Sequence, residues 1–191
     1  MKDRTIILAS KSSARSSLLH AAGYHIIIHP THTDEKIRFQ DPVRCAEDIA
    51  DQKMDSLLQD IPQPEYPVIT VDTLIYFDGR FIGKASTRTE AGNMLYSFSG
   101  NTHIVYSGAT IYLPDTKKRV SLSNSAVITF HDLSKREIDD YLSIGEWKGA
   151  AGCYRIQHQG IRLINTIDGD YFTVVGLPLL QIFGILRGQS Y

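Results

Sequence analysis

The sequence predicts an α/β fold on a mixed β-sheet flanked by helices. Three observations carry this. Short apolar runs with strand character alternate with helical periodicities early and late in the chain. Two long strand-like segments, Thr102 to Leu113 and Arg119 to Phe130, lie between them around a Pro-Asp-Thr-Lys-Lys turn. The 191 residues are 42% hydrophobic and 21% charged, enough to bury a core and too apolar for a disordered chain. Strand–helix alternation asks for parallel pairing and a long hairpin asks for antiparallel pairing, so the sheet must be mixed.

Thr5 to Ala9 reads as a short buried strand. Ser12 or Ser13 can cap the helix from about Ala14 to Ala22, and Gly23 can close it in the left-handed conformation. Tyr24 to His29 is a second strand. Asp41-Pro42 starts the next helix, with Asp as cap and Pro in the first turn. Val43, Ala46, Ala50, Met54 and Leu57 then form one apolar stripe. Three prolines between Ile61 and Pro67 end it and mark a connector, a candidate lobe boundary.

Val68 to Phe77 is a strand that turns at Asp78-Gly79 and returns through Arg80 to Gly83. Thr87 with Glu90, and Ser134 with Glu137, have capping-box spacing and open helices running to Phe98 and to about Gly145. A Gly/Ala-rich loop, a hairpin turning at Asp168-Gly169, and a helix begun by Pro178 complete the chain. Neither an internal repeat nor a low-complexity tract interrupts it.

Composition excludes several classes of function. Lys and Arg total 20 against 21 Asp and Glu, a net charge of −1, which argues against holding long nucleic acid by bulk electrostatics. Mean hydropathy is −0.16, and no apolar stretch approaches the ~18 residues of a spanning helix. The start MKDRTIILAS lacks a signal-peptide layout. Cys45 and Cys153 are the only cysteines and lie far apart, so a disulfide framework is not expected and a cytoplasmic location is.

The first strand–helix junction is the most informative local feature. Leu8-Ala-Ser-Lys-Ser-Ser-Ala-Arg15 places Ser10, Ser12, Lys11 and Arg15 where free N–H groups and the positive end of a helix dipole meet. That suits a phosphate; a capped helix with solvated cations would use the same residues. Asp72 sits among apolar neighbours in Val68-Ile-Thr-Val-Asp-Thr-Leu-Ile-Tyr-Phe, where a carboxylate needs a metal, a cation or several donors. It is a candidate base or metal ligand, or else it faces solvent from the strand's polar side. Glu35 could share a divalent ion with it, since two carboxylates plus phosphate oxygens make a magnesium environment.

Lys53 borders its helix's apolar stripe and Lys84 follows a hairpin; singly, each reads as a surface lysine. Gly79 to Ser86 has the wrong spacing and context for a P-loop. His25, His29 and His32 match no helix-based zinc pattern. Cys45, on the polar flank of its helix, and Cys153, in a loop, lack local support as nucleophiles.

Together these segments resemble the Maf family of nucleoside triphosphate pyrophosphatases. Leu8 to Leu19 is similar to the family's LASxSPRRxxLL opening, Thr33-Asp-Glu35 to its acidic turn, and Val71-Asp-Thr73 to its ADT motif. Lys53 falls at its helical lysine and Gly83-Lys84 at its GKP. Gly100 to Ser107 resembles GxxHxVYT, Ala151 to Gln157 resembles AGxYxIQ, and Gly169 to Pro178 resembles GDxxxVVGLP. The likeness implies a single domain over residues 1–191, with an elongated mixed sheet and two lobes around a nucleotide-binding cleft. It implies cleavage of a nucleoside triphosphate, a modified one among the candidates, to monophosphate and pyrophosphate with a divalent cation, Mg²⁺ or Mn²⁺.

Carried over by motif, Asp72 would activate water, Ser10, Ser12, Arg15, Lys53 and Lys84 would bind phosphate, and Glu35 and Asp72 would hold the metal. Thr73 and Gln157 fall at base-selecting positions. Ser13, Ala14 and Ala85 depart from the motifs, and Ala14 stands at the third base-selecting position, leaving pyrimidine and 7-methylated guanine substrates both open. The resemblance also implies a homodimer, with no membrane or long nucleic acid as partner. The competing reading is a non-catalytic nucleotide-binding regulator of cell division, which the joint presence of Glu35, Lys53, Asp72 and Lys84 opposes.

Overall fold

The computed structural model describes residues 4–188; the charged start at residues 1–3 lies outside them. Seven strands form one sheet: β1 (Thr5–Leu8), β2 (His25–Ile28), β3 (Val68–Phe77), β4 (Arg80–Ile82), β5 (Thr102–Leu113), β6 (Lys118–Phe130) and β7 (Ile164–Gly169). Their order is β2-β1-β3-β5-β6-β7, with β4 added to β3. β1 pairs in parallel with β2 and β3, whereas β3–β4 and β6–β7 are antiparallel. The α/β class and the mixed sheet are therefore as the sequence predicts.

The helices are α1 (Ser13–Ala21), α2 (Pro42–Asp60), α3 (Arg88–Phe98), α4 (Lys135–Ile144), α5 (Tyr171–Val175) and α6 (Leu179–Arg187). Ser12 caps α1, Asp41 caps α2 ahead of Pro42, and Gly23 adopts the left-handed conformation at φ +87°. α4 carries the complete Ser134/Glu137 capping box. At α3, Thr87 caps Glu90, but the Glu90 carboxylate accepts from the Ser86 amide instead of closing a box.

The chain divides into two compact units. The first comprises residues 1–72, 107–124 and 176–191, the second residues 73–106 and 125–175. In the first, Ile7, Ala9, Met54, Leu57 and Val68 form a core cluster; burying a side chain such as Leu57 is worth roughly 1.5–3 kcal/mol. α2 is tied to the sheet there: Thr70 Oγ1 donates to Ala50 O at 2.7 Å, and Gly108 of β5 lies so near the Ala46 carbonyl that a Cβ would overlap it.

α2 buries a broader face than its predicted stripe. Cys45, Ile49 and Gln52 are buried along with Ala46, Ala50, Met54 and Leu57, while Val43 is 40% exposed. Cys45 is thus in the core and not on a polar flank. The helix has sheet along it and a loop folded over it, so two adjoining stripes are covered. Burial, with the charges of Asp72 and Asp48, raises the Cys45 thiol pKa and keeps it protonated.

The second unit's core gathers Phe98, Val105, Ile128, Phe130, Tyr154 and Ile164. His103 is buried among them, stacked on Phe98 at 4.5 Å and hydrogen-bonded through Nε2 to Tyr154 Oη at 2.9 Å. Its Nδ1 is buried with no partner among the described residues, and burial lowers its pKa to about 4. Asp168-Gly169 does not turn a hairpin. Both residues end β7, Gly169 bends the chain at φ +124°, and Asp170 accepts from the Phe172 and Thr173 amides to start α5. Among the described residues, no helix is long and apolar enough to cross a membrane.

Candidate active site

In the first unit, Ser10, Ser12 and Arg15 build a hydrogen-bonded corner at the start of α1. The Ser12 hydroxyl accepts from the Arg15 amide at 3.4 Å, and Ser10 Oγ accepts from the Ser12 amide at 3.2 Å. Ser12 therefore caps α1 as the sequence predicts, and Ser10 braces the turn before it. Arg15 reaches back across it: Nη1 donates to Ser10 Oγ at 3.0 Å and Val71 O at 3.2 Å, and Nε to Gly176 O at 2.7 Å. One guanidinium thereby joins α1, β3 and the residue where the chain re-enters the first unit. Desolvation lowers its pKa while the fields of Asp72 and Glu35 raise it; arginine begins so high that the charge persists. Lys11 is exposed at the same turn.

Lys53, projecting from α2, is the centre of the second cluster. Its ammonium lies 2.6 Å from Asp72 Oδ1, 3.0 Å from Glu35 Oε1 and 3.4 Å from Val71 O. The Lys53 and Asp72 side chains are only 13% and 11% exposed, against 48% for Glu35. The ammonium donates hydrogen bonds to Asp72 and Val71 and is ion-paired with Glu35. The Asp72 carboxylate has the cation that its apolar strand demands, so its burial is stabilised by pairing and hydrogen bonding.

The loop carrying Glu35 is held by a residue that the sequence reading missed. Gln52, buried on α2, accepts from the Lys36 amide at 3.0 Å and donates to Lys36 O at 2.9 Å; its amide also donates to Asp48 Oδ2 at 2.6 Å. The side chain mimics a strand partner for the residue next to Glu35. Its only sequence signal was a polar residue adjoining an apolar stripe. Thr33, in the same acidic turn, has its hydroxyl buried without a partner among the described residues.

The remaining predicted residues belong to the second unit or to the helix surface. Thr73 follows Asp72 on β3, half-buried. Lys84 is exposed, its backbone bridged to Ala151, and Gln157 is half-buried in a turn before the short 3-10 segment Gln159–Leu163. Ala14 is half-buried in the first turn of α1. His29 pairs with Asp60 at 3.7 Å, and no group of three or more His, Cys, Asp and Glu side chains is arranged for a metal among the described residues. The arrangement can bind an anion at α1, and the Glu35/Asp72 pair can hold a cation or accept a proton.

Known proteins are similar in sequence to this chain along nearly its whole length. The dTTP/UTP pyrophosphatase of Bacillus pumilus is 37% identical over 183 residues, covering 95% of each chain. That of Pyrococcus furiosus is 36% identical, covering 96% of this chain and 95% of its own. That of Caldanaerobacter subterraneus is 36% identical over 96% of this chain and 88% of its own. The family described as Maf-like protein matches residues 5–189: this chain belongs to the Maf family.

Proposed function

We propose that this protein is a nucleoside triphosphate pyrophosphatase that hydrolyses its substrate between the α- and β-phosphates. The observation that carries it is the buried Asp72 carboxylate, poised on Lys53 beside Glu35, in the same unit as a helix N-terminus braced by Arg15. The relatives' shared name makes dTTP and UTP the first substrates to test. The family resemblance adds modified nucleotides, because Ala14 stands at a base-selecting position.

In this reading the free amides at the start of α1, with Ser10 and Ser12, receive phosphate oxygens, and Lys53 and Lys84 supply positive charge. Thr73 and Gln157 serve the base. Arg15, whose donors already hold Ser10, Val71 and Gly176, keeps the turn in shape. Water attacks the α-phosphorus, the bond to the bridging oxygen breaks, and pyrophosphate leaves with that oxygen. Asp72 takes the proton from the attacking water.

The residues fit a hard divalent cation such as Mg²⁺ or Mn²⁺. Glu35 and Asp72 direct carboxylate oxygens at one point, and the Thr33 hydroxyl, two residues before Glu35 in sequence, is buried and unpartnered among the described residues. Such an ion, held by Glu35 and Asp72, would supply charge stabilisation to the phosphate oxygens. The test is a pyrophosphate-release screen over common and modified nucleoside triphosphates with Mg²⁺ or Mn²⁺. Asp72→Asn should lower turnover by about 10²–10⁴-fold while keeping the fold. Turnover like the wild type's would remove Asp72 as the base, and nucleotide-dependent thermal stabilisation without pyrophosphate release would favour the non-catalytic regulator.

A further inference from the structure

The contacts of Lys53 conflict with the tasks expected of its neighbours. Its ammonium is hydrogen-bonded to Asp72 Oδ1 and Val71 O and ion-paired with Glu35 Oε1. Asp72 Oδ1 and Glu35 Oε1 are both turned toward the ammonium, which fills the point where the two carboxylates converge. A cation can take the point between the two carboxylates only when the ammonium leaves it.

We infer that Lys53 is an internal stand-in for the divalent cation, and that the triphosphate admits the metal by drawing the ammonium off the carboxylates. This rests on the pyrophosphatase reading and adds an order of events to it. Glu35, Asp72, Lys53 and Arg15 together carry no net charge. A divalent ion entering alone would leave two positive charges in a partly buried place, beside an ammonium that had lost its partners. A triphosphate arriving with the ion reverses that balance and gives the ammonium new oxygen acceptors.

The geometry also says which contact yields. Glu35 is the more exposed carboxylate, sits on a loop and is the more distant of the two, whereas the 2.6 Å contact to Asp72 is largely shielded from solvent. The ammonium leaves Glu35 first and pivots on Asp72. Metal and nucleotide binding are then coupled, and the coupling is reciprocal. Without nucleotide, the protein holds its metal site closed with its own side chain.

The experiment measures Mn²⁺ binding without nucleotide, by the electron paramagnetic resonance of free Mn²⁺, for the wild type, Lys53→Met and Lys53→Gln. Circular dichroism checks the fold, and two substitutions of different polarity guard against one failing to fold. A folded variant should bind Mn²⁺ about tenfold more tightly than the wild type or better, which corresponds to ~1.4 kcal/mol of competition removed. Glu35→Gln should lower that affinity. A folded Lys53 variant that binds Mn²⁺ no more tightly than the wild type overturns the inference. Pyrophosphate release by the wild type is read separately: release with unchanged Mn²⁺ affinity refutes the stand-in role alone, and no release with any substrate refutes the pyrophosphatase reading itself.

Discussion

Gln52→Leu separates the support of the site from its chemistry. The amide makes two neutral hydrogen bonds with the Lys36 backbone, at 3.0 and 2.9 Å, and one to the Asp48 carboxylate at 2.6 Å. Taking about 1 kcal/mol net for each neutral bond and about twice that for the charged one, the gross loss is about 4 kcal/mol. Lys36 is exposed, so water replaces its lost partners and no buried backbone group is orphaned. Leucine returns about 2 kcal/mol by burying apolar surface where the amide was. The net destabilisation is therefore about 2 kcal/mol, to be measured by urea unfolding. Activity should suffer in a particular way. Freeing the residue beside Glu35 costs about 1–2 kcal/mol of backbone order that metal binding must then restore, so the Mg²⁺ concentration for half-maximal pyrophosphate release should rise about tenfold. Turnover at saturating Mg²⁺ should change little. A variant with wild-type stability and wild-type Mg²⁺ dependence would refute Gln52 as the anchor of the Glu35 loop.

Two further outcomes concern the scaffold. Gly108→Ala places a methyl group on the Ala46 carbonyl and forces α2 away from β5; the expected cost is about 3 kcal/mol, visible as a melting point lower by roughly 6–12 °C. Equal melting points would show that α2 can slide without loss. The second concerns acid stability. His103 has its folded pKa lowered to about 4, so between the unfolded value near 6.5 and that point the unfolded chain takes up a proton that the native chain refuses. Stability conferred by neutral His103 is complete above about pH 6.5 and falls by about 3 kcal/mol as the pH drops through 4. His103→Gln should flatten the unfolding free energy over that range relative to the wild type, and identical slopes would contradict the assignment.

Local rules were legible in the sequence wherever the partner was local. Asp41-Pro42 and the Ser134/Glu137 box sit where spacing put them, because a cap and the amide it satisfies are three residues apart. Asp72 was conspicuous because a carboxylate inside a strand of apolar neighbours needs a stated reason. Long-range partners left no such trace. Gln52 serves a backbone 16 residues away, and the Arg15 guanidinium ends on a carbonyl 161 residues away. The Asp168-Gly169 reading failed differently. The dipeptide signals a backbone reversal in sign of φ, and Gly169 has it, but Asp170 uses the bend to begin a helix and no return strand follows. Cys45 lies off the apolar stripe that the spacing marks, and its burial comes from a second covered stripe of α2 that periodicity alone does not reveal.

The bond from Arg15 to Gly176 has a consequence for synthesis on the ribosome. Residues 73–175, which include all of the second unit, emerge before the first unit receives its last segment. A nascent chain can therefore complete the second unit while the serine turn still lacks its anchor at Gly176 and the helix that follows. A chain ending before Gly176 would keep Glu35, Lys53 and Asp72 and yet lose the brace on the turn before α1. The order of synthesis thus sets the turn before α1 to be braced after the second unit is complete.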